Sequence, residues 1–169
     1  MTLLVGMAVA ALLVILCLLV HYEALRLISL LVPRLTLLRP RARIVVVVGG
    51  TFLAHTVEVW LFAIAYWLAS MFPSLAAFSA VYPDITHQFA AMDAPQGQIE
   101  GYMYFSVVTF TSLGLGDVVP HGVARLMAGV ESIIGLLLIG WSATYTFLEM
   151  KELWPLHGNQ RRRHDKRTD

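Results

Sequence analysis

The run Thr111-Ser112-Leu113-Gly114-Leu115-Gly116-Asp117 alternates two glycines with apolar residues and ends on a carboxylate. Alternating glycines permit dihedrals that a Cβ disfavours, so successive carbonyls can turn to one side of the chain. A row of carbonyls around a water-filled axis can replace the hydration shell of a cation. The Ser112 hydroxyl adds one more oxygen at the inner end of such a row. The same string in a soluble turn would be ordinary, so the flanking elements decide its meaning.

Other polar residues interrupt apolar runs. Glu131 stands inside 123–148, where an acid is a functional candidate by default. It either braces the preceding helix through Ser106, Thr109 or Thr111, or is a hydrogen-bonded buried acid with no further role. His55 and Glu58 are three residues apart and share a helix face. They form either a titratable pair or a structural one, and one His with one Glu is too few for a metal site. The single Cys17 has no intrachain disulfide partner. No Walker motif, dinucleotide fingerprint or catalytic triad is present, so no enzyme is expected.

The elements that must position these residues follow from composition. Of 169 residues, 58% are hydrophobic and 14% charged, with a formal net charge of +1. A soluble domain carries about 25% charged residues. Too little polar surface exists to cover a water-exposed globule, which excludes a soluble enzyme, a disordered tail and a nucleic-acid-binding module. The chain reads as an integral membrane protein. A spanning helix needs about 20 apolar residues, and three stretches qualify: 1–22, 44–72 and 123–148. The first has no basic start and no small-residue cleavage site, so a retained helix is expected in place of a signal peptide.

Arg26, Arg34, Arg39, Arg41 and Arg43 lie between the first two spans. Lys151, Arg161, Arg162, Arg163, Lys166 and Arg167 follow the third. Basic residues gather on the cytoplasmic side, which places the N-terminus outside and the C-terminus inside. Residues 23–43 read as a cytoplasmic amphipathic linker or a plain connector, and 149–169 as a basic cytoplasmic tail. Between the second and third spans, 73–98 is an extracellular turret with mixed polarity. Residues 99–111 then form an apolar helix of about 20 Å, too short for a hydrocarbon core of roughly 30 Å. It is expected to enter and return as a re-entrant pore helix that carries 112–117 to membrane depth. From 73 to 122 the charged residues are Asp84, Asp93, Glu100 and Asp117, without Lys or Arg, an outer face that favours cations.

On these residues the chain resembles the potassium channel superfamily. Residues 102–148 are similar to its pore helix, filter and inner helix, and the family's pore-loop signature ends in T-T-V-G-Y-G-D. With the outer helix the resemblance starts at Ile44. Pro120 and Arg125 fall near the proline and basic residue that open the family's inner helix. The layout also resembles small bacterial ion channels with an extra N-terminal helix, in which E-x-x-x-G-L-L-L-x-G-W-S follows the filter, as Glu131–Ser142 do here.

The resemblance implies an all-α transmembrane fold, with three spanning helices, a re-entrant pore helix and a filter loop. Four copies would surround one axis as a homotetramer in lipid, with no organic substrate, nucleic acid or cofactor beyond the permeant potassium ion. Thr111, Ser112, Leu113, Gly114, Leu115 and Gly116 would coordinate the ion, with Asp117 at the outer mouth. Tyr104, Phe105, Thr109 and Glu131 would support the filter. Gly135 would be a hinge or a packing position, and Leu136, Ile139, Ala143 and Phe147 would face the pore, Phe147 as a dewetting gate. Two residues depart from the pattern: Leu115 replaces the family's Tyr, and Ser112 its Thr. Leu115 cannot donate the hydroxyl bond that ties the family's filter to its pore helix, so it is expected to pack on Tyr104 or Phe105. The resulting expectation is a passive potassium-selective channel of a bacterial inner membrane. A nonselective sodium and potassium pore is the alternative within channels. Outside them, the alternative is a nonconducting subunit or a small intramembrane enzyme using His55, Glu58 and Glu131.

Overall fold

A computed structural model describes residues 2–72, 75–80 and 99–153. In chain order the elements are α1 (Thr2–Leu31), a short 3-10 turn (Val32–Arg34), α2 (Pro40–Ser70), β1 (Ala76–Ala80), α3 (Ile99–Phe110), β2 (Val118–Gly122) and α4 (Val123–Leu153). The chain is mostly helical, and α1, α2 and α4 are each long and apolar enough to cross a membrane. Helix α3 occupies the place of the re-entrant helix, between the second and third spans.

Several boundaries differ from those read in the sequence. Helix α1 continues past 22 to Leu31, because no Gly or Pro occurs between Met7 and Val32 and the first breaker is Pro33. Helix α2 opens at Pro40, where a proline suits the first helical turn. Much of 23–43 is therefore the end of one spanning helix and the start of the next. Its exposed Glu23 accepts a bond from Arg26 at 2.8 Å. Helix α4 extends past 148 to Leu153, and the next proline in the sequence is Pro155.

The two-stranded antiparallel ribbon is an element the sequence did not signal. Its register runs from Ala76 opposite Gly122 to Ala80 opposite Val118. Pro120 lies within β2, opposite Phe78, and α4 opens at Val123. A proline is tolerated there because both strands are edges. The Val123 amide donates to the Leu75 carbonyl at 2.9 Å, which joins the ribbon to the start of α4. Most of the turret, including Asp84 and Asp93, and the tail from 154 onward lie outside the described residues.

The core that seats α3 is aromatic. Tyr66 of α2, Phe78 of β1, and Tyr102 and Phe105 of α3 meet edge to face, with centroids 5.2–5.6 Å apart. Such pairs contribute about 0.5–1.5 kcal/mol each beyond the burial of area. Ala10, Leu13 and Cys17 bring α1 into the same core. A second cluster joins Leu25, Ile28 and Val32 to Val47, with Tyr145 against it. There the Ser29 and Tyr145 hydroxyls are 2.8 Å apart, linking α1 to α4.

Candidate functional site

The glycine run begins where α3 is capped. The Leu113 and Gly114 amides both donate to the Val108 carbonyl, at 3.0 and 3.3 Å, and the Ser112 amide donates to Thr109 at 2.9 Å. A bond that reaches back five residues closes a helix in the Schellman manner, so the loop leaves α3 in a defined direction. The chain then takes positive φ at every second residue: 58° at Ser112, 56° at Gly114 and 77° at Gly116. Alternation of this kind lets successive carbonyls face one way. Residues 111–116 are all exposed in the single chain, including Leu113 and Leu115, two apolar side chains about 60% exposed.

Three contacts hold the loop and its helix. At the outer end the Tyr104 hydroxyl donates to Asp117 Oδ2 at 2.5 Å, and the Val118 amide donates to Asp117 Oδ1 at 3.0 Å. The carboxylate pushes the Tyr104 phenol up to about 12, chiefly through that hydrogen bond. At the inner end the Ser132 hydroxyl of α4 donates to the Thr109 carbonyl at 2.9 Å and stands 3.4 Å from Ser112 Oγ. In the middle, the buried Glu131 accepts from Ser106 at 2.5 Å and from Tyr66 at 2.6 Å. One carboxylate thus fixes α4 to both α3 and α2. Of the three partners proposed for Glu131 from the sequence, Ser106 is the one bonded to it.

The other site residues are placed as follows. Phe105, expected beside the filter, turns into the core against Tyr66 and Phe78. The Tyr104 hydroxyl is taken by Asp117 while Leu115 stays exposed, so the expected apolar seat for Leu115 is not formed within one chain. Gly135 lies against the end of α3, where an added Cβ would come 2.1 Å from the Phe110 carbonyl oxygen. Close packing, one of the two readings of this glycine, has a direct geometric cause here. Leu136, Ile139, Ala143 and Phe147 are spaced three and four apart and all exposed, forming one open stripe along α4.

His55 and Glu58 do pair, at 2.8 Å, and the sequence missed their third partner. His21 of α1 approaches the same carboxylate at 2.9 Å, and Ser142 of α4 lies within 3.0 Å of His55 and 3.4 Å of His21. Tyr66, Ser132 and Ser142 were likewise unforeseen. The usable signal was a polar side chain inside an apolar span, which seldom goes without a partner.

Comparison with protein families matches residues 42–152 to a family described as "Ion channel". No curated protein and no solved structure gives a match. The matched range takes in nearly all of α2, the ribbon, α3, the glycine loop and nearly all of α4, and leaves α1 outside. The chain therefore belongs to this ion-channel family, pore-loop proteins of the potassium channel superfamily, and is an integral membrane protein that conducts ions passively.

Proposed function

We propose that the chain is a homotetrameric, potassium-selective channel of a bacterial inner membrane, with its N-terminus outside and its C-terminus in the cytoplasm. The observation that carries this reading is the alternation of positive φ at Ser112, Gly114 and Gly116 in a loop capped onto a short helix. Four such loops around an axis would stack carbonyl rings at the spacing of a dehydrated cation's ligands. The exposed loop in one chain favours assembly, because apolar Leu113 and Leu115 then gain neighbours from adjacent copies. Asp117 stands at the outer end, and Glu100 lies in the first turn of α3.

Ions in this reading shed water at the Asp117 end and pass Gly116 to Ser112 through carbonyl sites. They enter a cavity lined by Leu136, Ile139, Ala143 and Phe147. A nonselective monovalent pore is the second reading, and Leu115 favours it. Without a hydroxyl at that position the ring's width is held by fewer directional bonds. Flux from potassium-loaded liposomes, with sodium-loaded liposomes in parallel, tests the proposal. Rapid potassium efflux with little sodium efflux is expected. Equal efflux of both supports the second reading, and no efflux of either contradicts both.

A further inference from the structure

Among the described residues, one group of His and acidic side chains brings its ligand atoms together: His21, His55 and Glu58, with one atom from each within 4.8 Å of the others. His21 and Glu58 are fully buried and His55 is 19% exposed. The residues come from two helices distant in sequence, α1 and α2, and Ser142 of α4 closes the cluster.

Both rings aim the same atom at the carboxylate. His21 Nδ1 is 2.9 Å from Glu58 Oε1, and His55 Nδ1 is 2.8 Å from Oε2. The other ring nitrogen of each faces Ser142 Oγ. Counting hydrogens separates the ways such a cluster can be filled. If each neutral ring donates from Nδ1 to Glu58, both Nε2 atoms present lone pairs to Ser142, whose hydroxyl has one hydrogen to give. One Nε2 then faces an oxygen with no hydrogen between them. If a metal ion takes both Nδ1 lone pairs and a Glu58 oxygen, both Nε2 atoms keep their hydrogens and donate to the two lone pairs of Ser142. Ser142 becomes the outer acceptor that orients metal-bound imidazoles. An added proton would also complete the count, with both Nδ1–H groups donating to Glu58 and one Nε2–H to Ser142, and metal binding separates the two fillings. Convergence of two ring nitrogens and an acid is what a metal ion uses.

We propose that His21, His55 and Glu58 bind a divalent transition ion of the zinc class, one per chain. Two imidazoles and a carboxylate suit zinc, cobalt or ferrous ion. Calcium and magnesium prefer all-oxygen shells, and cuprous ion prefers thiolates. Bonds of about 2.0–2.1 Å in a tetrahedral site hold ligand atoms about 3.3–3.4 Å apart. The present separations of 2.8 and 2.9 Å run to the two different oxygens of Glu58, and the three ligand atoms lie within 4.8 Å of one another, so binding an ion would shift the rings about the carboxylate. The ion would clasp α1, which lies outside the family match, to α2. It would also sit against α3 and α4, because the His55 ring lies 5.8 Å from that of Phe110, the last residue of α3, and His21 lies 5.3 Å from Trp141 of α4.

The test uses the full chain purified in detergent and stripped with a chelator. Zn2+ is added, unbound metal removed and bound metal measured by elemental analysis. Co2+ is added separately and its visible spectrum recorded. One Zn2+ per chain is expected, with strong cobalt bands of a four-coordinate site that Zn2+ displaces. The double variant His21→Gln, His55→Gln should lose the bands, while Ser142→Ala should bind roughly tenfold more weakly. Zn2+ should raise the thermal midpoint of the parent protein and leave that of the double variant unchanged. His87, His121, His157 and His164 remain in the double variant, so the difference isolates the cluster. Equal binding by parent and double variant overturns the proposal. So does a parent protein that gives only the faint spectrum of hydrated cobalt, a result that holds even if the variant fails to fold.

Discussion

At Gly114 and Gly116 the obstacle to a side chain is the dihedral and not crowding. An added Cβ at either position meets nothing within 4 Å, yet φ is +56° and +77°. Left-handed backbone costs an L-residue roughly 1–2 kcal/mol, repeated in every copy around the axis. Gly114→Ala or Gly116→Ala should therefore abolish potassium flux while membrane insertion stays intact, measured by liposome efflux beside protease protection. Undiminished flux in both would place the pore elsewhere. The Tyr104 hydroxyl on α3 bonds Asp117, a tether to the glycine loop from the helix side where Leu115 has no hydroxyl to offer. Its raised pKa keeps the donating neutral form. That contribution is whole below the usual phenol value near 10 and is lost as pH rises through about 12, so the tether is indifferent to pH near neutrality. Tyr104→Phe should lower potassium preference or hasten loss of current, and Leu115→Tyr should raise the preference, both read from relative permeabilities. The loop was legible in the sequence because its residues are consecutive and their chemistry is local. The Tyr104–Asp117 bond was less so: the sequence marked Tyr104 as support for the filter and Asp117 as its outer mouth without pairing them.

Helix α3 is held by its neighbours more than by its own length. Glu131 ties it to α4 and α2 through two buried hydroxyls. Glu131→Ala strands those hydroxyls, at about 1–3 kcal/mol each, and should lower the thermal midpoint of the assembly clearly. Glu131→Gln keeps an acceptor and a donor in place and should stay near the parent. Equal loss in both variants would mean that charge, not bracing, is what Glu131 provides. Gly135→Ala drives a Cβ into the Phe110 carbonyl, a backbone atom that cannot swing aside. It should disturb the filter itself, whereas a pure hinge would change opening and leave selectivity untouched. The spanning helices were readable from apolar length, and their ends only where a proline stood. The ribbon was not readable, since Ala76–Ala80 has weak strand character and Val118–Gly122 contains a proline. The Tyr66–Glu131 and His21–Glu58 bonds join residues 65 and 37 positions apart. Only packing of whole helices brings such partners together.

As a molecule the chain joins a family-matched unit, residues 42–152, to the helix that precedes it. Helices α2, α3 and α4 carry the family match, and α1 lies along α2 and α4 through the apolar contacts of Leu25 and Ile28 with Val47 and Tyr145. One loop per chain cannot enclose an axis, so the mass of the detergent-solubilised complex should correspond to four subunits. A conducting monomer or dimer would contradict the assembly. Whether carbonyls of 112–116 select potassium is read most directly from bi-ionic reversal potentials. Purified protein is placed in a planar bilayer with potassium on one side and an equal concentration of sodium on the other. The reversal potential should be displaced far toward potassium equilibrium, with no current in the Gly116→Ala variant. A reversal potential near zero, carried by the same glycine-dependent current, would contradict potassium selection by these carbonyls.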